Sequence, residues 1–244
     1  FDQANAASKV LNRVQGNDPS QILGSLSSNG QVWLLNPNGV LFGAGARVDV
    51  AGLVASTLRL GDSDFLAGRF RFTADAGSTA FVRNEGDLQT SFGGQIVLLG
   101  SQVQNTGSIS APGGNVSLAG ATSVELVDTG LPNLAVRVDV PAGEALNLGR
   151  LVSAGGKVDV HAAIVNQNGL VQAASLGRDA LGEVVLRASD TLTLGAASVT
   201  QATGAAGVTG GMVDLLGAQV ALVGQALVDV SGDAGGGRIR LGGG

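Results

Sequence analysis

The chain has no cysteine, which excludes disulfides, thiolate metal sites and a cysteine nucleophile. That avoidance is compatible with export through an oxidising compartment. Histidine occurs once, at His161, so a Ser/His/Asp triad has a single candidate base. Lysine occurs twice, at Lys9 and Lys157, and the formal charge is −5 with a pI of about 4.7. Nothing in that balance attracts a nucleic-acid backbone or an anionic membrane surface. Proline is scarce, 5 residues of 244 against 40 glycines, a ratio that excludes both collagen-like and proline-rich disordered chains. No apolar run approaches the roughly 18 residues of a membrane-spanning helix.

What is present is valine, leucine and alanine: 44% of residues are hydrophobic but only 3% aromatic. Small, regularly repeated side chains suit stacked thin layers better than one large interior. The repetition is explicit. Gly93-Gly94-Gln95-Ile96-Val97-Leu98-Leu99-Gly100 returns as Gly113-Gly114-Asn115-Val116-Ser117-Leu118-Ala119-Gly120. It returns again, more loosely, after Gly156, Gly182, Gly211 and Gly237. Counted from the last glycine before each strand, the steps are about 20, 42, 26, 29 and 26 residues, a period that means a solenoid. The step of 42 is read as two turns, with a degenerate copy near Leu134 to Val140.

Each unit divides into three short strands, as in Ile96 to Leu99, Gln102 to Asn105 and Gly107 to Ser110. The expected fold is therefore all-β: a right-handed parallel β-helix with three short strands per coil and glycines at its corners. A leucine-rich repeat would need a helical segment and an asparagine ladder in each unit, and a β-sandwich would not explain one recurring motif. Ordering a coil costs more backbone entropy than its few buried apolar side chains return, so a coil needs its neighbours. Before the repeats, short strands are expected around Val10 to Val14 and Gln21 to Leu26, with Asp18-Pro19-Ser20 as an alternative helix start. Asp62 to Arg71 is irregular and reads as a loop leaving the stack.

The strongest turn signal is Asn36-Pro37-Asn38-Gly39, between the wholly apolar runs Val32 to Leu35 and Val40 to Phe42. Pro37 pre-sets the first central position of a β-turn, Asn38 tolerates a left-handed conformation at the second, and Gly39 suits the exit. The Asn36 side-chain oxygen can bond the backbone two residues on. Runs without polar alternation have little solvated face, so something must cover both sides of these strands.

Around this turn stand Leu11-Asn12-Arg13-Val14, Gly16 to Ile22 and Gly24-Ser25-Leu26. After it come Phe42 to Val50, Gly52 to Thr57 and Asp64 to Phe70. This ordered set resembles the secretion domain of the filamentous-haemagglutinin family, the exported partners of two-partner secretion systems. Asn36-Pro37-Asn38-Gly39 matches that family's signature, with Val40 where Ile or Val is usual. The resemblance implies a secreted exoprotein segment that directs export through an outer-membrane barrel transporter with periplasmic recognition domains. It also implies the start of an adhesin or haemagglutinin shaft at the bacterial cell surface, with a host-cell or surface receptor as a further partner. Residues 1–90 are read as the secretion-domain-like first coils, and residues 91–244 as a repetitive shaft continuous with them. Asn36, Pro37, Asn38 and Gly39 are the secretion-motif residues. The start at Phe1 without a leader reads as a trimmed product, and the end at Gly242-Gly243-Gly244, just past a strand, as one that continues or pairs with another molecule.

Catalytic readings are weaker. His161 stands alone in the strand from Lys157 to Ala162 and reads as a packing or surface residue. No His/Asp/Glu set has metal-ligand spacing. Asp62-Ser63-Asp64 lacks the rest of a calcium loop, Gly232 to Gly237 is one copy of a motif that needs several, and Gly43-Ala44-Gly45 lacks the Lys-Ser/Thr of a phosphate loop. No cofactor and no enzyme activity is expected. Two alternatives remain: a fibre-forming surface protein whose coils associate end to end, and a β-helical polysaccharide lyase or glycosidase. The lyase would draw on Asp49, Asp159 and Asp229, which share Val-Asp-Val settings but fall in different coils and have no partner of defined spacing.

Overall fold

A computed structural model describes residues 1–130 and 133–243. The strands of the first half are β1 (Lys9–Arg13), β2 (Ser20–Ile22), β3 (Ser25–Leu35), β4 (Val40–Phe42), β5 (Arg47–Ser56), β6 (Phe70–Thr73), β7 (Phe81–Asn84), β8 (Asp87–Gly100), β9 (Gln102–Asn105), β10 (Ser108–Ser110) and β11 (Asn115–Val127); the helix α1 (Asp62–Leu66) precedes β6. The second half adds β12 (Ala135–Pro141), β13 (Glu144–Asn147), β14 (Arg150–Val152), β15 (Lys157–Gln167), β16 (Leu170–Gln172), β17 (Glu183–Leu194), β18 (Val199–Gln201), β19 (Met212–Leu216), β20 (Gln219–Leu222), β21 (Leu227–Asp229) and β22 (Arg238–Gly242).

These strands wind into a parallel β-helix with three faces. The first face stacks residues 25–28, 47–50 and 87–90 on β10, β14, β16, β18 and β21. The second stacks β1 and residues 31–35, 52–56, 95–99, 115–120, 157–162 and 183–188 on β19 and β22. The third stacks β2, β4, β7, β9, β13 and residues 164–167 and 191–194 on β20. Asp18-Pro19-Ser20, an alternative helix start by sequence, instead leads into β2, because Ser20 to Ile22 find parallel partners in Val40 to Phe42.

Register puts like on like. On the second face Val10, Val32, Leu53, Ile96, Val116, Val158, Val184, Val213 and Ile239 form one inward row. From Val32 to Val213 this row belongs to one continuous buried core. β-Branched side chains stacked at the roughly 4.8 Å strand spacing pack without gaps on a pleated surface. At the corner before this face the coils approach so closely that only glycine fits. A Cβ on Gly114 would overlap the Gly94 carbonyl oxygen, and one on Gly156 the Gly114 carbonyl oxygen.

The step from Asn115 to Lys157 is one coil, not two. Asn115 to Ala119 pair directly with Lys157 to His161, and the intervening Leu134 to Val140 segment holds β12, which runs antiparallel to β11. Alternating apolar residues such as Val136, Val138 and Val140 suit either kind of strand, so period alone could not separate them. The step from Gly52 to Gln95 is likewise one coil with an excursion, in which Asp62 to Arg71 leaves the stack as expected but holds α1 and the start of β6 where a loop was expected.

Both excursions meet outside the second face. β6 and β12 flank residues 121–127 of β11 in a three-stranded antiparallel sheet, a lid over the outward side chains Trp33, Leu35, Val54, Val97 and Leu99. Phe65, Phe70 and Phe72 surround Trp33, with ring centroids at 5.4, 4.8 and 6.1 Å. This second core is what covers Val32 to Leu35 on the side away from the helix interior.

Replacing Gly114 by Ala is expected to lower stability by about 2–3 kcal/mol through overpacking. Gly16→Ala, where a new Cβ meets nothing within 4 Å, is expected to change it by less than about 1 kcal/mol. Denaturant titration of the two variants checks the contrast.

Candidate functional site

The turn at residues 36–39 joins the second face to the third, at the corner between β3 and β4. Asn36 is fully buried and uses every polar atom of its side chain. Its Nδ2 donates to the Asp18 carbonyl oxygen and to Ser20 Oγ, both at 2.9 Å. Its Oδ1 accepts from the Asn38 backbone N–H at 3.0 Å and from Asn38 Nδ2 at 3.2 Å. The Asn36 backbone N–H donates to the Ser56 carbonyl oxygen at 2.9 Å. One residue therefore ties the preceding coil, its own turn and the following coil together.

The turn itself closes by donation from Gly39 N–H to the Asn36 carbonyl oxygen at 3.1 Å. Asn38 is not left-handed: among the described residues every positive φ belongs to glycine, and Gly39 has φ 134°. A type I turn needs right-handed conformations at both central positions and passes the unusual φ to the residue that follows. Asn38 is exposed, and its Nδ2 reaches the Gly16 carbonyl oxygen at 2.8 Å. A Cβ on Gly39 would press on Pro19 at 3.2 Å, so the second turn cluster, Gly16 to Ser20, is moulded against the first.

Sequence reasoning missed the partners Gly16, Asp18 and Ser20. The available signal was the coil period: Ser20 lies under Val40, so a buried asparagine beside Val40 has its donors and acceptors one coil upstream. It also missed a ladder at the next corner. Asn84 Nδ2 donates to Asn105 Oδ1 at 2.8 Å, Asn105 Nδ2 to Asn147 Oδ1 at 2.8 Å, and Asn147 Nδ2 to Gln167 Oε1 at 2.7 Å. All four are buried. Each has glycine two residues on, at Gly86, Gly107, Gly149 and Gly169, a spacing visible in the sequence.

The acids considered for carbohydrate chemistry do not converge. Asp49 and Asp229 occupy one row of the first face but are separated by Gln89, Ser110, Val152, Gln172 and Gln201. Six strand spacings put them roughly 29 Å apart. Asp159 is on the second face, where burial pushes its pKa up. Asp62 and Asp64 lie in α1 and pair with Arg13 and Arg69. His161 faces outward beside Arg187, in a shallow cavity with Val138, Pro141 and Arg240. Burial, with the nearby Arg187 charge, lowers its pKa to about 4.

The family model described as TPS secretion domain, where TPS denotes two-partner secretion, matches residues 1–236. The crystal structure of the HMW1 secretion domain from Haemophilus influenzae superposes with a TM-score of 0.89 at 34% identity, covering 95% of this chain and 62% of that one. Two curated proteins of Haemophilus influenzae, each named heme/hemopexin-binding protein, are 39% identical over 100 residues and 40% identical over 89. Those matches take in 41% and 36% of this chain, but only 10% and 9% of the relatives' lengths.

A depressed histidine pKa makes stability acid-sensitive. Above pH 6.5 His161 is neutral in both states; as pH falls from about 6.5 towards 4 the unfolded chain takes up a proton that the folded one refuses, and stability drops. Asp159, raised, works the other way as pH falls through its folded pKa towards the ordinary aspartate value. His161→Gln is expected to flatten the loss between pH 6.5 and 4 while leaving stability at pH 7.5 nearly unchanged, as followed by thermal melts across that range.

Proposed function

The chain belongs to the TPS secretion domain family, and we propose from that premise that Asn36, Pro37, Asn38 and Gly39 set the first stable coils on which its export depends. The family's function is export of an exoprotein through the outer membrane to the cell surface or the extracellular space. It is a secretion-domain family and not a family of enzymes. The transporter that this chain engages is an outer-membrane barrel with periplasmic recognition domains, which hold the polypeptide before it folds outside. The matched relatives are far longer than the matched segment, and the chain is the leading part of a comparably extended exoprotein of adhesin type. Residues 1–90 carry the export signal and residues 91–244 begin the shaft.

The observation that carries this reading is the burial of Asn36 with all its side-chain bonds directed to residues 18–38. A turn needed only to reverse the chain has no use for a buried amide. A buried amide that binds the coil before it, while its N–H binds the coil after it, fixes the spacing of these coils. Each coil pairs in parallel with its neighbours, so a correctly spaced first pair can template the next. Folding outside the membrane then opposes back-sliding without a chemical energy source.

Asn36→Ala leaves the Asp18 carbonyl, Ser20 hydroxyl and Asn38 N–H without their partner in a buried setting, and is expected to cost about 2–3 kcal/mol and to reduce export sharply. Asn38→Ala, which loses the exposed amide's bonds to the Gly16 carbonyl and Asn36 Oδ1, is expected to cost about 1 kcal/mol and to reduce export less than Asn36→Ala does. Secreted and cell-associated amounts of the exoprotein, measured with the transporter co-expressed, check this. Undiminished export of Asn36→Ala despite the lost stability would remove the turn from the mechanism.

A further inference from the structure

β11 belongs to two structures at once. Its residues 115–120 lie in the second face, and its residues 121–127 form the middle strand of the lid. The outward apolar strip beneath the lid is complete early in the chain: Trp33, Leu35, Val54, Val97 and Leu99 are all in place by the end of β8. Its roof is not. Val124 and Leu126 come from β11, and Val136 and Val138 from β12.

Until β11 arrives, β6 has almost nothing to pair with. Among the described residues its ladder runs only to β11, from Thr73 opposite Ser123 to Phe70 opposite Leu126, apart from one bridge between Arg59 and Thr73. An isolated short strand does not persist in water. The coils have no such gap, because each pairs with the coil immediately before it. The lid also has its own fastening. Glu125, mostly buried, sits between Arg71 of β6 and Arg137 of β12, at 3.1 and 3.0 Å, and so joins all three strands.

The outer row of the second face follows the lid's extent. Under it the row reads Trp33, Val54, Val97 and then the buried Ser117 of β11; beyond it, Asp159, Val185, Asp214, Arg240. The unbroken apolar run thus lies under the roof, while past it Val185 stands between Asp159 and Asp214, and this makes strip and lid one unit distinct from the coil stack.

We propose that β6, residues 121–127 and β12 form a late-closing lid, which folds as a unit after the coils and seals the Trp33 strip only once residues 121–138 are available. In a chain emerging from its amino-terminal end there is then a stage with coils formed through Gly120 and an open apolar strip. Its place in export rests on the proposed function; the lid itself does not.

Trp33 is the sole tryptophan and the chain has no tyrosine, so intrinsic fluorescence reports burial of the strip, while far-ultraviolet circular dichroism reports the coils. In refolding of the full chain from denaturant, the dichroism signal is expected to reach its native amplitude at least about threefold sooner than Trp33 fluorescence. Leu126→Ala is expected to slow the fluorescence phase by about fivefold or more and leave the dichroism rate within about twofold, whereas the inner-core change Leu118→Ala alters both. A single shared rate constant in the parent chain, or equal slowing of both signals by Leu126→Ala, would overturn the proposal. So would loss of the coil dichroism in Leu126→Ala at equilibrium; with coils retained but the lid too weak to follow, Glu125→Gln gives the same comparison. No transporter takes part, so failure here leaves the export reading to the Asn36 variants.

Discussion

Everything in this molecule depends on parallel pairing of each coil with the next at a fixed residue-to-residue register. Pairing spends the backbone hydrogen bonds of every short strand on its neighbours, and register sets each side chain above one of like kind. The inward valine and leucine rows, the glycine corner and the asparagine ladder are three outcomes of that one constraint. A β-branched residue fills the space above another, a glycine allows two backbones to touch, and an amide has one free donor and one free acceptor for the amides above and below it. The ladder ends where the register delivers apolar residues instead: Phe42 stands opposite Asn84, and Leu194 opposite Gln167.

The same constraint creates a difficulty on the outside. A strand stacked between two coils can be apolar on one side at no cost, but a strand apolar on both sides needs a second cover. Here two excursions from different coils supply it, as an antiparallel sheet laid across parallel strands. Trp33 sits at the centre of that contact, its ring nitrogen buried without a hydrogen-bond partner among the described residues. That cost is tolerated because the ring fills the space between Phe65, Phe70 and Phe72. Past the lid the outer positions mix charged residues with apolar ones such as Val185, and Arg240 pairs with Asp214 there at 2.8 Å.

Much of this was legible in the residues. The glycine-led repeats gave the coil, the three strands within it and the corners, because a solenoid repeats its chemistry along with its geometry. The need for a second cover over Val32 to Leu35 followed from the lack of polar alternation, although the identity of the cover did not. Residues of β12 alternate just as coil strands do, and nothing local says whether a strand's partner is parallel or antiparallel. Asparagine's tolerance for left-handed backbone is a permission and not a requirement, and it is Gly39 rather than Asn38 that takes the positive φ. The partners of Asn36 were hidden because the turn was considered alone, whereas its bonds run one coil upstream. The Asn-x-Gly recurrence was in plain view, but it becomes a ladder only when the 42-residue step is recognised as a single coil.

The dependence of each coil on its neighbours is tested most directly by native-state hydrogen exchange on a chain weakened at one central position. Val116 is fully buried and pairs with Ile96 below and Val158 above. In Val116→Ala, amide protection is expected to fall most in those two adjoining coils and progressively less towards Val32 and Val213, the pattern of nearest-neighbour coupling. Loss confined to β11, or spread evenly over the whole chain, would contradict it.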